Sequence, residues 1–68
     1  MIGKNLRYWR KKRNMTLQEL EEKSGVPPSA LSEMENEKRT HYSEERLLKI
    51  AHALDIPVSR LWEDINPE

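Results

Sequence analysis

The sequence predicts an all-α protein of five short helices packed as a single domain. Apolar residues recur three and four positions apart, and nowhere do they alternate as they would along strands. The breaks between the apolar stretches carry helix-cap and turn residues, namely Asn14, Thr16 with Glu19, Gly25, Pro27-Pro28, Ser43, Asp55 and Ile56-Pro57. A chain of 68 residues without cysteine has neither a disulfide nor a thiolate metal site to staple it, so packing and capping must hold it.

Ile2, Leu6 and Trp9 fall at i, i+4 and i+7, which predicts a first helix from about Ile2 to Arg13, with Trp9 in the core. Asn14 ends it, because Asn tolerates the left-handed conformation of a helix stop. The second helix has the clearest start. Thr16 followed by Glu19 is a capping box, and Met15 and Leu20 occupy the flanking staple positions. It runs to about Ser24, where Gly25 at positive φ turns the chain.

Val26-Pro27-Pro28 opens the third helix, which ends near Asn36. Pro28 suits the first helical position, where an N–H would lack an intrahelical partner. Val26 and Leu31 form a second staple, and Leu31 and Met34 face the core. Residues 37–42 form a polar loop. Ser43 caps the fourth helix, Glu44 and Glu45 complement its dipole, and Leu47, Ile50, Ala51 and Leu54 form its buried face. Asp55 ends it. Ile56-Pro57 opens a short fifth helix with Ile56 and Leu61 as a third staple and Ile65 extending its apolar side. The domain is expected to span residues 1–65, with 66–68 a frayed tail.

Composition narrows the function. No apolar run approaches the roughly 18 residues of a membrane span, and the first residues do not resemble a signal peptide. The net charge is zero, but it is segregated. Residues 1–16 carry Lys4, Arg7, Arg10, Lys11, Lys12 and Arg13 and no acid, whereas residues 17–37 carry Glu19, Glu21, Glu22, Glu33, Glu35 and Glu37 against Lys23 alone. His41 and His52 are isolated, so no metal site is expected, and the two glycines, Gly3 and Gly25, build no phosphate loop. No catalytic constellation is expected in so small a bundle, and no cofactor.

The informative segment is Thr16 to Asn36: helix, tight glycine turn, helix. Such a unit holds an exposed second helix against a supporting first one, so that the second can enter the DNA major groove by its N-terminus. Residues 2–65 resemble the Xre/Cro family of phage-repressor-like (lambda-repressor-like) helix-turn-helix domains. The resemblance rests on Ile2-Gly3, Leu6-Arg7, Arg10, Met15-Thr16, Leu20, Glu22-Lys23, Gly25-Val26, Leu31-Ser32, Met34-Glu35-Asn36, Lys38-Arg39 and Leu47 to Ala51. It implies a cytoplasmic, non-enzymatic transcription regulator, in the manner of a repressor, bound to double-stranded DNA and commonly a homodimer.

Under that resemblance the third helix reads bases with Pro28, Ser29, Ser32 and Glu33. Serines can donate or accept, and a glutamate can accept from the cytosine amino group. Arg7, Lys11, Leu17, Gln18, Asn36, Lys38 and Arg39 are the expected phosphate contacts. At Leu17 the family commonly has Gln, so only the helix N-terminal amide remains for a phosphate. Arg10 and Glu35 match the family's structural ion pair. Leu61, Trp62 and Ile65 are the candidate dimer surface. Other departures are Glu21, where a small residue is usual and a carboxylate must reach solvent or a partner, Pro27 in place of a Ser or Thr cap, and one extra residue between Arg39 and Ser43. The alternative reading is a protein-binding module that docks a basic partner on its acidic third helix.

Overall fold

The computed structural model describes residues 2–38 and 42–63. Its elements are α1 (Ile2–Lys12), α2 (Leu17–Ser24), α3 (Pro28–Glu35), α4 (Glu44–Ala53) and α5 (Ser59–Trp62). Among the described residues there is no strand. Among the described residues, five helices therefore stand in the expected order, with α5 reduced to a single turn.

The helix starts follow local chemistry. The Thr16 hydroxyl accepts from the Glu19 amide at 3.1 Å, and the Glu19 carboxylate accepts from the Thr16 amide at 2.9 Å, completing the capping box. The Ser43 hydroxyl accepts from the Arg46 amide at 3.1 Å. Pro27 offers no side-chain cap to α3, whose first position is Pro28.

The ends of α1, α2, α3 and α4 share one device, a residue in the left-handed region. These residues are Asn14 (φ 56°), Gly25 (φ 77°), Glu37 (φ 56°) and Asp55 (φ 58°). After α1, α3 and α4 the left-handed residue and its successor donate backward as a pair. Asn14 and Met15 donate to Lys11 and Arg10, Glu37 and Lys38 to Met34 and Glu33, and Asp55 and Ile56 to His52 and Ala51. The sequence signals Asn14, Gly25 and Asp55. It does not signal Glu37, a residue type that rarely takes this conformation. Arg13, expected inside the first helix, lies in the turn after α1.

Leu6, Leu20, Leu31, Met34, Leu47, Ile50, Leu54 and Leu61 are wholly buried, and Ile2, Met15, Val26, Ala30 and Ala51 complete the core. The Met15–Leu20 and Val26–Leu31 staples are buried at both ends, while Ile56 is half-buried against Leu61's core. Trp9 and Leu17 lie partly buried against the same cluster. Helix α1 packs on α3 and α5, α2 packs on α3 and α4, and α4 packs on α5.

Three joints lock these packings. A Cβ on Gly3 would lie 2.1 Å from the Met34 carbonyl oxygen, so α1 crosses the end of α3 at a separation only glycine permits. The buried Asn5 amide donates to the Leu61 carbonyl at 2.8 Å, tying α1 to α5. The Arg13 guanidinium donates to the Leu54 carbonyl at 2.8 Å and the Asp55 carbonyl at 3.3 Å, where the C-terminal dipole of α4 favours a cation. The same guanidinium lies over the Trp9 ring, 5.7 Å from its centroid.

The α5 expectations are corrected in part. Leu61 is fully buried in the core of one copy and has no surface to offer a second. Trp62 is 61 % exposed and is the large hydrophobic side chain of α5 that faces outward, beside exposed Ser59 and Arg60. Ile65 and the tail 66–68 lie outside the described residues.

Candidate nucleic-acid interface

The interface is built on how α3 is held. Its buried side is Ala30, Leu31 and Met34. The opposite side presents Ser29, Ser32, Glu33 and Asn36 at i, i+3, i+4 and i+7, with Ser29, Glu33 and Asn36 exposed and Ser32 half-buried. Pro28, at the N-terminal tip, is exposed as well. The four residues expected to meet bases thus share one outward surface. Glu33 takes part in an interaction within the chain and is not an isolated charge.

The turn that sets α3 against α2 is stitched by two groups. Gly25 donates to the Glu21 carbonyl at 2.7 Å from a left-handed conformation. The buried Ser24 hydroxyl donates to the Leu20 carbonyl at 2.6 Å and accepts from the Val26 amide at 3.2 Å. One hydroxyl thereby closes the end of α2 and orients the lead into α3. Sequence reasoning missed this role, and the available signal was a serine in the last turn just before the glycine. Glu21 is half-exposed, so its side chain keeps access to solvent.

The far end of α3 is anchored to α1. The Arg10 guanidinium grips the Glu35 carboxylate through two bonds of 2.6 and 3.0 Å, and its third nitrogen donates to the Met15 carbonyl at 2.8 Å. The two side chains are only 13 % and 7 % exposed. The hydrogen bond to Glu35 holds the Arg10 pKa above its usual value, against the desolvation that would lower it. The planar fork matches the carboxylate, as the resemblance implied. The pair is scaffold, and it leaves neither group for DNA.

The expected phosphate contacts divide. Arg7, Lys11, Gln18 and Lys38 are exposed. The Leu17 side chain leans on the core and is not free to reach a phosphate. Asn36 departs from the expectation in part. Its amide nitrogen folds back to donate to the Ser32 carbonyl at 2.9 Å and approaches the Ser32 hydroxyl at 3.4 Å. Arg39 lies outside the described residues, as do Thr40 and His41 of the loop said to hold an extra residue. Lys12 points toward the Tyr8 and Trp9 rings. No described helix is long and apolar enough to cross a membrane.

A family model described as helix-turn-helix matches residues 6–61, which include α2, the glycine turn and α3. The chain belongs to the helix-turn-helix family. Its Xre/Cro-type resemblance accords with known relatives. The HTH-type transcriptional regulator SinR of Bacillus subtilis (strain 168) is 38 % identical over 64 residues, which is 94 % of this chain and 58 % of SinR. The chain therefore spans just over half the length of that relative. Among solved structures, the master regulator for biofilm formation SinR in complex with DNA superposes with a TM-score of 0.89 at 38 % identity, covering 93 % of this chain and all of that one. A SinR–SinI protein complex superposes at 0.88 with 38 % identity, covering 94 % of this chain and 62 % of that one. At these identities the shared fold extends to the helix-turn-helix unit itself.

Proposed function

We propose that this helix-turn-helix domain is the DNA-binding part of a transcription regulator, acting as a repressor in the cytoplasm, and that it seats α3 N-terminus first in the major groove. The observation that carries the reading is the near-complete superposition on a SinR chain bound to DNA. The exposed 28-29-32-33 surface of α3 supports it. Pro28, Ser29, Ser32 and Glu33 meet base edges, and Arg7, Lys11, Gln18, Lys38, Arg39 and the Leu17 amide meet phosphates. Two copies act on a two-fold site, with Trp62 as the anchor between them. No step in this function calls for catalysis or a cofactor.

Titration of the domain against duplex DNA of random sequence at two salt concentrations tests the reading. Each phosphate neutralised contributes about −0.9 to the slope of log affinity against log salt. Changing Lys38 and Arg39 together to alanine makes the slope shallower by roughly one to two such units. Absence of binding by the unaltered protein at low salt rejects the proposal. The reading as a protein-docking module would then stand, with the SinR–SinI complex as its precedent in a relative.

A further inference from the structure

We propose that Asn36 is a positioning residue for base readout, which turns the Ser32 hydroxyl into a donor toward an acceptor on a base edge. The inference rests on the DNA-binding reading above and assigns Asn36 a role other than phosphate contact.

The argument starts from the Asn36 side chain. One end of its amide lies 2.9 Å from the Ser32 carbonyl oxygen. A carbonyl only accepts, so that end is the nitrogen, and the alternative amide orientation would set two oxygens against each other. The same nitrogen reaches the Ser32 hydroxyl oxygen at 3.4 Å, and toward that oxygen it can only donate. The hydroxyl proton is therefore excluded from the side facing Asn36.

A contrast within the chain shows what is unusual here. Ser24, also on a helix, spends its proton on the carbonyl four residues back. For Ser32 no such bond exists among the described residues, so its proton is left for an outside acceptor. Accepting one hydrogen bond also strengthens the next one donated. Ser32 lies between Ser29 and Asn36 on the exposed stripe of α3, one turn from each.

A serine free to rotate reads bases weakly, because it donates and accepts equally well. A serine with one lone pair taken by Asn36 and its own proton unspent is biased toward donating, and that bias discriminates. Guanine, adenine and thymine each present an acceptor in the major groove, at O6 and N7, at N7 and at O4, whereas cytosine presents only its amino donor. Asn36 thus gives Ser32 a preference against cytosine at the position it meets.

Selection from random duplex DNA with the unaltered protein, Asn36→Ala and Ser32→Ala tests this. Asn36 has φ −90° and ψ 4°, which alanine adopts freely, so the end of α3 is retained, and a circular dichroism melt checks it. The unaltered protein is expected to exclude cytosine at one position of each half-site. Asn36→Ala should relax that exclusion about three- to tenfold, the value of one oriented hydrogen bond. Ser32→Ala should relax the same position and no other, and the double variant no further. If Asn36→Ala weakens all sequences alike and leaves base preferences intact, Asn36 is a phosphate contact and the proposal falls. It falls as well if the two variants alter different positions. If the unaltered protein selects no sequence, the DNA-binding reading fails first, which is a distinct result.

Discussion

Gly3 sets how closely α1 approaches the end of α3. Any side chain there meets a backbone carbonyl, which cannot rotate away as a flexible side chain would. Gly3→Ala is therefore expected to destabilise the domain by roughly 1–3 kcal/mol through overpacking, despite the better helix propensity of alanine. A thermal melt checks it, and an unchanged or raised midpoint would show that the crossing opens at no cost. Arg10 acts a few residues along the same helix. Removing it takes the guanidinium from Glu35, whose side chain is only 7 % exposed in the intact pair. Loss of one partner from a buried pair typically costs about 3–5 kcal/mol, and partial exposure here puts Arg10→Ala toward the lower end. Urea denaturation would measure the loss. Arg10→Lys should recover little of it, because an ammonium cannot reproduce the two-bond fork and the bond to Met15 together.

At the scale of the elements, the helices are short and depend on their ends. A helix of eight to eleven residues is marginal alone, and the left-handed stops supply bonds to carbonyls that would otherwise lack partners. Gly25 separates conformational from steric cost, since a Cβ there would meet nothing within 4 Å. The φ of 77° alone opposes a side chain, so Gly25→Ala should cost about 1–2 kcal/mol. If α3 is also tilted by the change, DNA affinity falls more than stability does. Comparing the melting midpoint with the binding constant of the same variant distinguishes the two. Much of this level was legible in the sequence. The capping box, two buried staples, Pro28 and the glycine turn all rely on neighbours within a few residues, where pattern and structure coincide. Glu37 was not legible, because its left-handed turn follows from where α1 holds the end of α3 rather than from its own preference.

At the scale of the molecule, the extents are 30 × 25 × 19 Å, less than the roughly 34 Å between successive major-groove half-sites. One copy cannot read both half-sites, which is why the proposed function includes a pair. With Leu61 buried and Trp62 61 % exposed, the test of the pairing falls on Trp62. Trp62→Ala should change the folding stability by no more than about 0.5 kcal/mol, as expected for an exposed position. It should also weaken association in sedimentation and reduce cooperative binding to a two-fold DNA site. Equal sedimentation and equal DNA stoichiometry would remove Trp62 from the interface.

The sequence by itself determined the helices, their caps, the apolar face of each, and the helix-turn-helix unit, because these depend on spacing and on contacts a few residues apart. It also supplied the Arg10–Glu35 pair, though only by resemblance, since nothing in the spacing of residues 25 positions apart says they meet. The tertiary structure decided the rest. It placed Leu61 inside and Trp62 outside, because α1 and α4 both pack against α5. It assigned Arg13 to the end of α4, Asn5 to the Leu61 carbonyl and Gly3 to a close crossing. It turned Asn36 back onto Ser32. In these cases a polar or small residue was identified by type, but its role depended on which backbone group packing brought within reach.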